Sequence, residues 1–116
     1  APAEKAAAAG AIETMAYELG AGLGIAVFGL LLSSSFSASI VLPDGLNAGE
    51  MERASSSMGE AVQLAQSLPS ALADPVLLAA KQAFTWSHSV ALSSAGSMLI
   101  LLAVGMWFSL AKAARE

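Results

Sequence analysis

Two stretches of this chain, residues 19–43 and 82–111, contain no aspartate, glutamate, lysine or arginine. A helix needs about 20 apolar residues to cross the ~30 Å hydrocarbon core of a bilayer. Both stretches exceed that length, and no other part of the sequence does. Charged residues make up 12% of the chain, against about 25% in soluble domains. The length of the uncharged stretches and the low content of charged residues together predict a membrane protein.

The fold predicted from these stretches is all-α: two antiparallel transmembrane helices joined by an external loop. An alanine-rich start and the Pro43-Asp44-Gly45 stop predict a first helix over about 6–42. Asp74 and Pro75 have the chemistry of an N-cap and a first helical residue, which predicts a second long helix over about 75–113. The chain therefore reads as one unit with a connector over about 43–74.

The connector contains its own helical pattern. Asn47 and Glu50 stand at the spacing of a capping box, in which each side chain accepts from the other residue's backbone N–H. Apolar residues then recur on one helical face, which predicts one short amphipathic helix over about 48–68. Such a helix lies at the membrane surface or on a neighbouring domain, or else is a solvated loop helix. The residues of that face are Met51, Met58, Val62 and Ala65, widened by Leu64 and Leu68.

Two tryptophans mark the ends of the second uncharged stretch. Trp86 and Trp107 would lie ~32 Å apart along a helix, close to the hydrocarbon thickness of about 30 Å. Because tryptophan favours both membrane interfaces, the pair is interpreted as interface anchors; two packing tryptophans are the alternative.

The orientation follows from the basic residues. Three lie on the side of the termini and two on the side of the connector, which predicts cytoplasmic termini and an external loop over 43–81. They are Lys5, Lys112 and Arg115 on the terminal side, and Arg53 and Lys81 on the connector side.

Small residues recur at helical spacing in both predicted spans. Ala16, Gly20 and Gly24 share one face of the first span, and Gly22 starts a second small row with Ala26. Helices in lipid associate through close backbone contact, and glycine costs about 1 kcal/mol of helix propensity, so these rows predict helix packing. In the second span the corresponding row is Ser89, Ser93 and Ser97.

Few residues are candidates for chemistry. Glu18 borders the first span and is a candidate for proton or cation handling, with an interfacial carboxylate or salt-bridge partner as the alternative. The chain has no cysteine and one histidine, so neither a metal site, a cofactor site nor a catalytic set is predicted, and the protein is not expected to be an enzyme. A net charge of −4 with five basic residues argues against nucleic-acid binding.

Residues 4–12, followed by 19–29, resemble the penultimate transmembrane helix of the fourteen-helix drug:proton antiporters of the major facilitator superfamily. The resemblance implies that the chain is the C-terminal fragment of a multidrug efflux transporter in the bacterial inner membrane. The implied activity is export of cationic amphiphilic compounds, of the quaternary ammonium or viologen type, in exchange for protons. Its partners would be the remaining helices of the transporter, the lipid bilayer, the drugs and the protons. Tyr17-Glu18 stands where the family has Arg-Gln, so the role of that basic residue does not transfer.

Two alternatives remain open at this point. The first is a self-standing membrane hairpin that oligomerises through its glycine face. The second is a soluble domain that hides a hydrophobic helical hairpin inside amphipathic helices. Because the first residue is Ala1, the chain is expected to be processed or to be a piece of something longer.

Overall fold

The chain forms four α-helices in the computed structural model, which describes residues 2–115. No strand occurs in that range. Contacts divide the chain into two units, with the boundary inside α1 between Leu30 and Leu31. The helices are α1 (Ala3–Ser39), α2 (Ala48–Ser56), α3 (Met58–Ser67) and α4 (Ser70–Ala113).

The first long helix starts and ends three residues before its predicted bounds of about 6–42. It spans 37 residues, and its last backbone bond joins the Ile40 N–H to the Phe36 carbonyl at 3.1 Å. Pro43 disfavours helical backbone at the residue before it, and β-branched Ile40 and Val41 favour extended backbone. The chain then turns at Gly45, whose φ of 107° belongs to the left-handed region that glycine adopts without strain.

The single connector helix predicted over about 48–68 is two helices in the structure. Ser57 lies between them with extended backbone, and it ends α2 and caps α3. Its Oγ accepts a hydrogen bond from the Glu60 N–H at 3.2 Å. Ser57-Met58-Gly59-Glu60 carries the serine and glutamate spacing of an N-terminal capping sequence, so the break has a signal that the apolar periodicity obscured.

The capping box predicted at Asn47 and Glu50 is confirmed. Asn47 Oδ1 accepts from the Glu50 N–H at 2.9 Å, and Glu50 Oε2 accepts from the Asn47 N–H at 2.8 Å. Two backbone donors at the start of α2 are thereby satisfied.

The second long helix begins at Ser70, before the predicted start at Pro75. The Pro69 carbonyl accepts from the N–H groups of Leu72 and Ala73 at 2.9 Å each, which starts the helix one turn early. Pro75 lies inside α4 and has no N–H to donate to the Ala71 carbonyl. Burial of Val76, which is 0% exposed, stabilises this early part of the helix against the connector.

A small core joins the connector helices to both long helices. The core contains Phe36 from the end of α1, one buried residue of α2, two of α3 and three of α4. Most of these residues are alanines, and alanine allows helix axes to approach closely. The core residues are Phe36, Ala54, Ala61, Leu64, Val76, Ala80 and Ala83, with Ile40, Leu42, Leu46, Met58 and Leu68 packed around them. The connector therefore packs on the chain's own helices, and Met51 of its predicted apolar face is 47% exposed.

Candidate membrane-spanning and packing surfaces

Both long helices expose their apolar side chains. They are long and apolar enough to cross a membrane, and only 6% of the most apolar stretch of each is buried. The central helix of a soluble domain is mostly buried, so this exposure argues against the soluble alternative. All-helical structure and two long, exposed apolar helices indicate a membrane protein.

The small residues of α1 border open space. Ala16, Gly20 and Gly22 are exposed, and Gly24 is half-buried. A Cβ atom added at any of the three glycines would meet no atom within 4 Å outside its own helical backbone. The predicted rows of small residues lie on one continuous helix. Among the described residues, none lies close enough to these glycines to exclude a larger side chain. Their role in helix packing stays a prediction.

The serine row of α4 is also exposed. Ser89, Ser93 and Ser97 all face outward in the structure, and Ser89 Oγ donates to the Thr85 carbonyl one turn back at 3.1 Å. Its packing role likewise stays a prediction.

A different row of α4 is the buried one. Ala80, Ala83, Ser87 and Ala91 follow one another at helical spacing and are between 0% and 8% exposed. Ser87 Oγ donates to the Phe84 carbonyl at 2.9 Å, which satisfies the hydroxyl inside the packed face. This row was not predicted, although three of its four residues lie within the uncharged stretch 82–111. Alanines at three- and four-residue spacing were the available signal.

Glu18 is exposed on α1. Within the described range the only ion pair joins Arg53 Nε to Glu60 Oε2, at 3.3 Å between α2 and α3. The structure thus brings no basic group to Glu18 among residues 2–115. No group of three or more histidine, cysteine, aspartate or glutamate side chains suited to a metal ion occurs in that range either.

The two tryptophans of α4 lie near opposite ends of its apolar stretch, and each has similar neighbours. Trp86 is 60% exposed and Trp107 is 73% exposed. Each borders a surface cavity that also includes a lysine five positions further from the middle of the stretch. Trp86 and Lys81 share a cavity of about 390 Å³, and Trp107 and Lys112 share one of about 470 Å³.

Comparison with known proteins finds relatives whose names describe drug resistance or drug efflux. The chain is 81% identical over all 116 residues to the methyl viologen resistance protein SmvA of Salmonella typhimurium, in strains 14028s and LT2. It is 34% identical over 105 residues, 90% of its length, to the multidrug efflux pump LfrA of Mycolicibacterium smegmatis. No protein-family model matches the chain. No solved structure matches it either.

The chain spans 23% of the length of the resistance protein and 21% of the length of the efflux pump. It is homologous to the C-terminal part of the resistance protein. The resemblance to drug transporters found in the sequence is therefore confirmed. These relatives are transporters, which is consistent with the expectation that the protein is not an enzyme.

Proposed function

We propose that this chain is the C-terminal part of a proton-coupled multidrug efflux transporter of the major facilitator superfamily. The observation that carries the proposal is the 81% identity, along the entire chain, to a methyl viologen resistance protein. The exported compounds are cationic and amphiphilic, of the quaternary ammonium or viologen type. Two exposed apolar helices support membrane insertion in the bacterial inner membrane.

In this proposal α1 and α4 cross the membrane in opposite directions, with cytoplasmic termini and an external connector over 43–81. A helix of 44 residues is about 66 Å long, roughly twice the hydrocarbon thickness. The first part of α4 therefore extends out of the membrane, where it packs with α2 and α3. Trp86 and Trp107 sit at the two interfaces.

The packing surfaces serve the remaining helices of the transporter. Open space beside Gly20, Gly22 and Gly24 supports close approach of another helix, because no Cβ atom stands in the way. Ser89, Ser93 and Ser97 supply small side chains and hydroxyl donors to a second helix. Glu18, exposed and without a basic partner among the described residues, is the candidate for proton or cation handling in this segment.

The transport proposal is tested with the intact reading frame that contains this chain. It is expressed in bacteria that lack their own drug efflux systems, and growth is measured in methyl viologen and in a quaternary ammonium compound. We expect resistance that disappears when a protonophore collapses the proton gradient. Resistance equal to that of the empty vector would contradict the proposal.

The orientation is tested by labelling with a membrane-impermeant maleimide. Residues 2–115 contain no cysteine, so single cysteines at Ser56 and Ala113, both exposed, report the connector and the terminal side. We expect Ser56→Cys to react in intact cells and Ala113→Cys to react only after permeabilisation. The reverse pattern would overturn the orientation.

The self-standing hairpin is the second candidate, and the open glycine rows favour it as well, because a second copy of the chain could cover them. The two candidates differ in the length of the gene. A reading frame several times longer than this segment supports the transporter. A start codon immediately upstream, together with cross-linked oligomers of the segment in membranes, supports the hairpin.

A further inference from the structure

At the C-terminal end of α4, two aromatic side chains lie beside two basic side chains. Its surface cavity of about 470 Å³ is lined by Trp107, Phe108, Ala111, Lys112 and Arg115. The first four positions follow a spacing of one, three and one, so they form a single face of α4, and Arg115 lies in the turn that follows the helix. Among residues 2–115, no acidic side chain lines the cavity. An apolar floor with positive charge at its outer edge is complementary to the headgroup region of an anionic lipid.

We propose that this cavity, the α4 terminal cavity, binds the headgroup of an anionic phospholipid. The inference rests on the proposed membrane insertion of α4, although not on its orientation or on drug transport. Lys112 and Arg115 bind the phosphate, and Arg115 offers it the planar pair of N–H donors that suits phosphate oxygens. Trp107 lies at the level of the glycerol and carbonyl groups, where indole rings concentrate.

The two side chains must supply the attraction themselves. Lys112 stands in the last turn of α4 and Arg115 follows the helix end, where the free carbonyls give a negative potential that repels an anion. Neither Lys112 nor Arg115 forms an ion pair with another residue in the range 2–115. Removal of both charges should therefore abolish selectivity for an anionic headgroup.

The adjoining surface favours a lipid over a free phosphate ion. Val104 and Ile100 continue the same helical face toward the middle of the apolar stretch, and they are 46% and 66% exposed. An acyl chain attached to the bound headgroup would cover these side chains and remove apolar surface from water. Inorganic phosphate would gain nothing from them.

The opposite end of the apolar stretch provides a built-in comparison. Its cavity is lined by Lys81, Gln82, Thr85, Trp86 and Ser89, with one cation where the α4 terminal cavity has two. A single lysine at a hydrated interface contributes less to anion selectivity, since the attraction grows with the number of basic groups. Lys81 is thus the matched control position.

The test is lipid titration of the intact detergent-solubilised protein by native mass spectrometry, with phosphatidylglycerol and phosphatidylcholine compared. Each basic group near an anionic surface contributes about fivefold, so we expect the double variant K112Q/R115Q to bind the first phosphatidylglycerol roughly 25-fold more weakly. Binding of phosphatidylcholine should not change. The charge-conserving variant K112R/R115K should retain tight phosphatidylglycerol binding, and K81Q should lose at most about fivefold.

Each of the following results would overturn the inference. They are unchanged phosphatidylglycerol binding by K112Q/R115Q, an equal loss for both lipids, an equal loss in K81Q, and displacement of phosphatidylglycerol by equimolar inorganic phosphate. If K112Q/R115Q unfolds and its lipid preference does not change, Lys112 and Arg115 serve to pack against another helix. That result also overturns the inference. Lipid selectivity without drug resistance would instead contradict the proposed efflux while leaving the lipid site in place.

Discussion

Ser37 near the end of α1 is hydrogen-bonded to Ser55 in the last turn of α2. Ser37 Oγ donates to the Ser55 carbonyl oxygen at 2.7 Å. The last carbonyls of any helix lack intrahelical partners, so Ser37 satisfies one that α2 cannot satisfy itself. This bond and the packing of Phe36 hold the connector against the end of the first long helix.

Replacement of Ser37 by alanine should loosen this attachment. We expect a loss of about 1 kcal/mol in the free energy of unfolding, measured by thermal unfolding of the chain in detergent micelles. Ser39→Ala is the matched control, because Ser39 Oγ donates to the Phe36 carbonyl of its own helix, at 3.3 Å. Equal unfolding temperatures for Ser37→Ala and Ser39→Ala would show that the bond between the helices contributes nothing.

The capping box at the start of α2 gives a second prediction. Asn47→Ala removes the acceptor for the Glu50 N–H and should destabilise the connector by about 1 kcal/mol. Asn47→Ser keeps a side-chain oxygen at the same position and should cost only a few tenths of that amount. Circular dichroism during denaturant unfolding measures both variants. The idea fails if the alanine variant is as stable as the serine variant.

The connector core should not tolerate a larger side chain. Ala61 is 0% exposed where α3 meets its neighbours, so Ala61→Leu should destabilise the folded connector by about 1–3 kcal/mol through overpacking. Ala71→Leu adds the same atoms at an exposed position of α4 and should leave stability nearly unchanged. Unfolding of the two variants is compared in the same detergent. Similar stability of both would mean that this core is not closely packed.

The glycine face of α1 is tested in the intact transporter. Gly20→Leu combined with Gly24→Leu fills the open row and should prevent close approach of the partner helix, with resistance reduced to the level of the empty vector. Gly105→Leu makes the same change at an equally open glycine outside the predicted rows, and resistance should persist. Normal expression and normal resistance in the double variant would remove the packing role.

Much of the helical structure follows from local patterns in the sequence. Uncharged stretches longer than a bilayer requires predicted both long helices, because length and hydropathy are local properties of the chain. Asn47 and Glu50 predicted the start of α2 to the residue, since a capping box involves only neighbours along the chain. The sequence also carried the resemblance to drug transporters that its relatives confirm.

Other features depended on contacts between distant residues. The burial of Ala54, Ala61 and Ala80 was not predicted, nor was the early start of α4. The break at Ser57 was also missed, but it differs from these because its serine and glutamate spacing is a local signal. Alanine is neutral in hydropathy patterns, so its burial is decided by which helix comes close. The positions of the two long apolar helices follow from local hydropathy and length alone. The packing of the connector on α4 and on Phe36 became known only from the folded chain, because it depends on shape complementarity among residues far apart in the sequence.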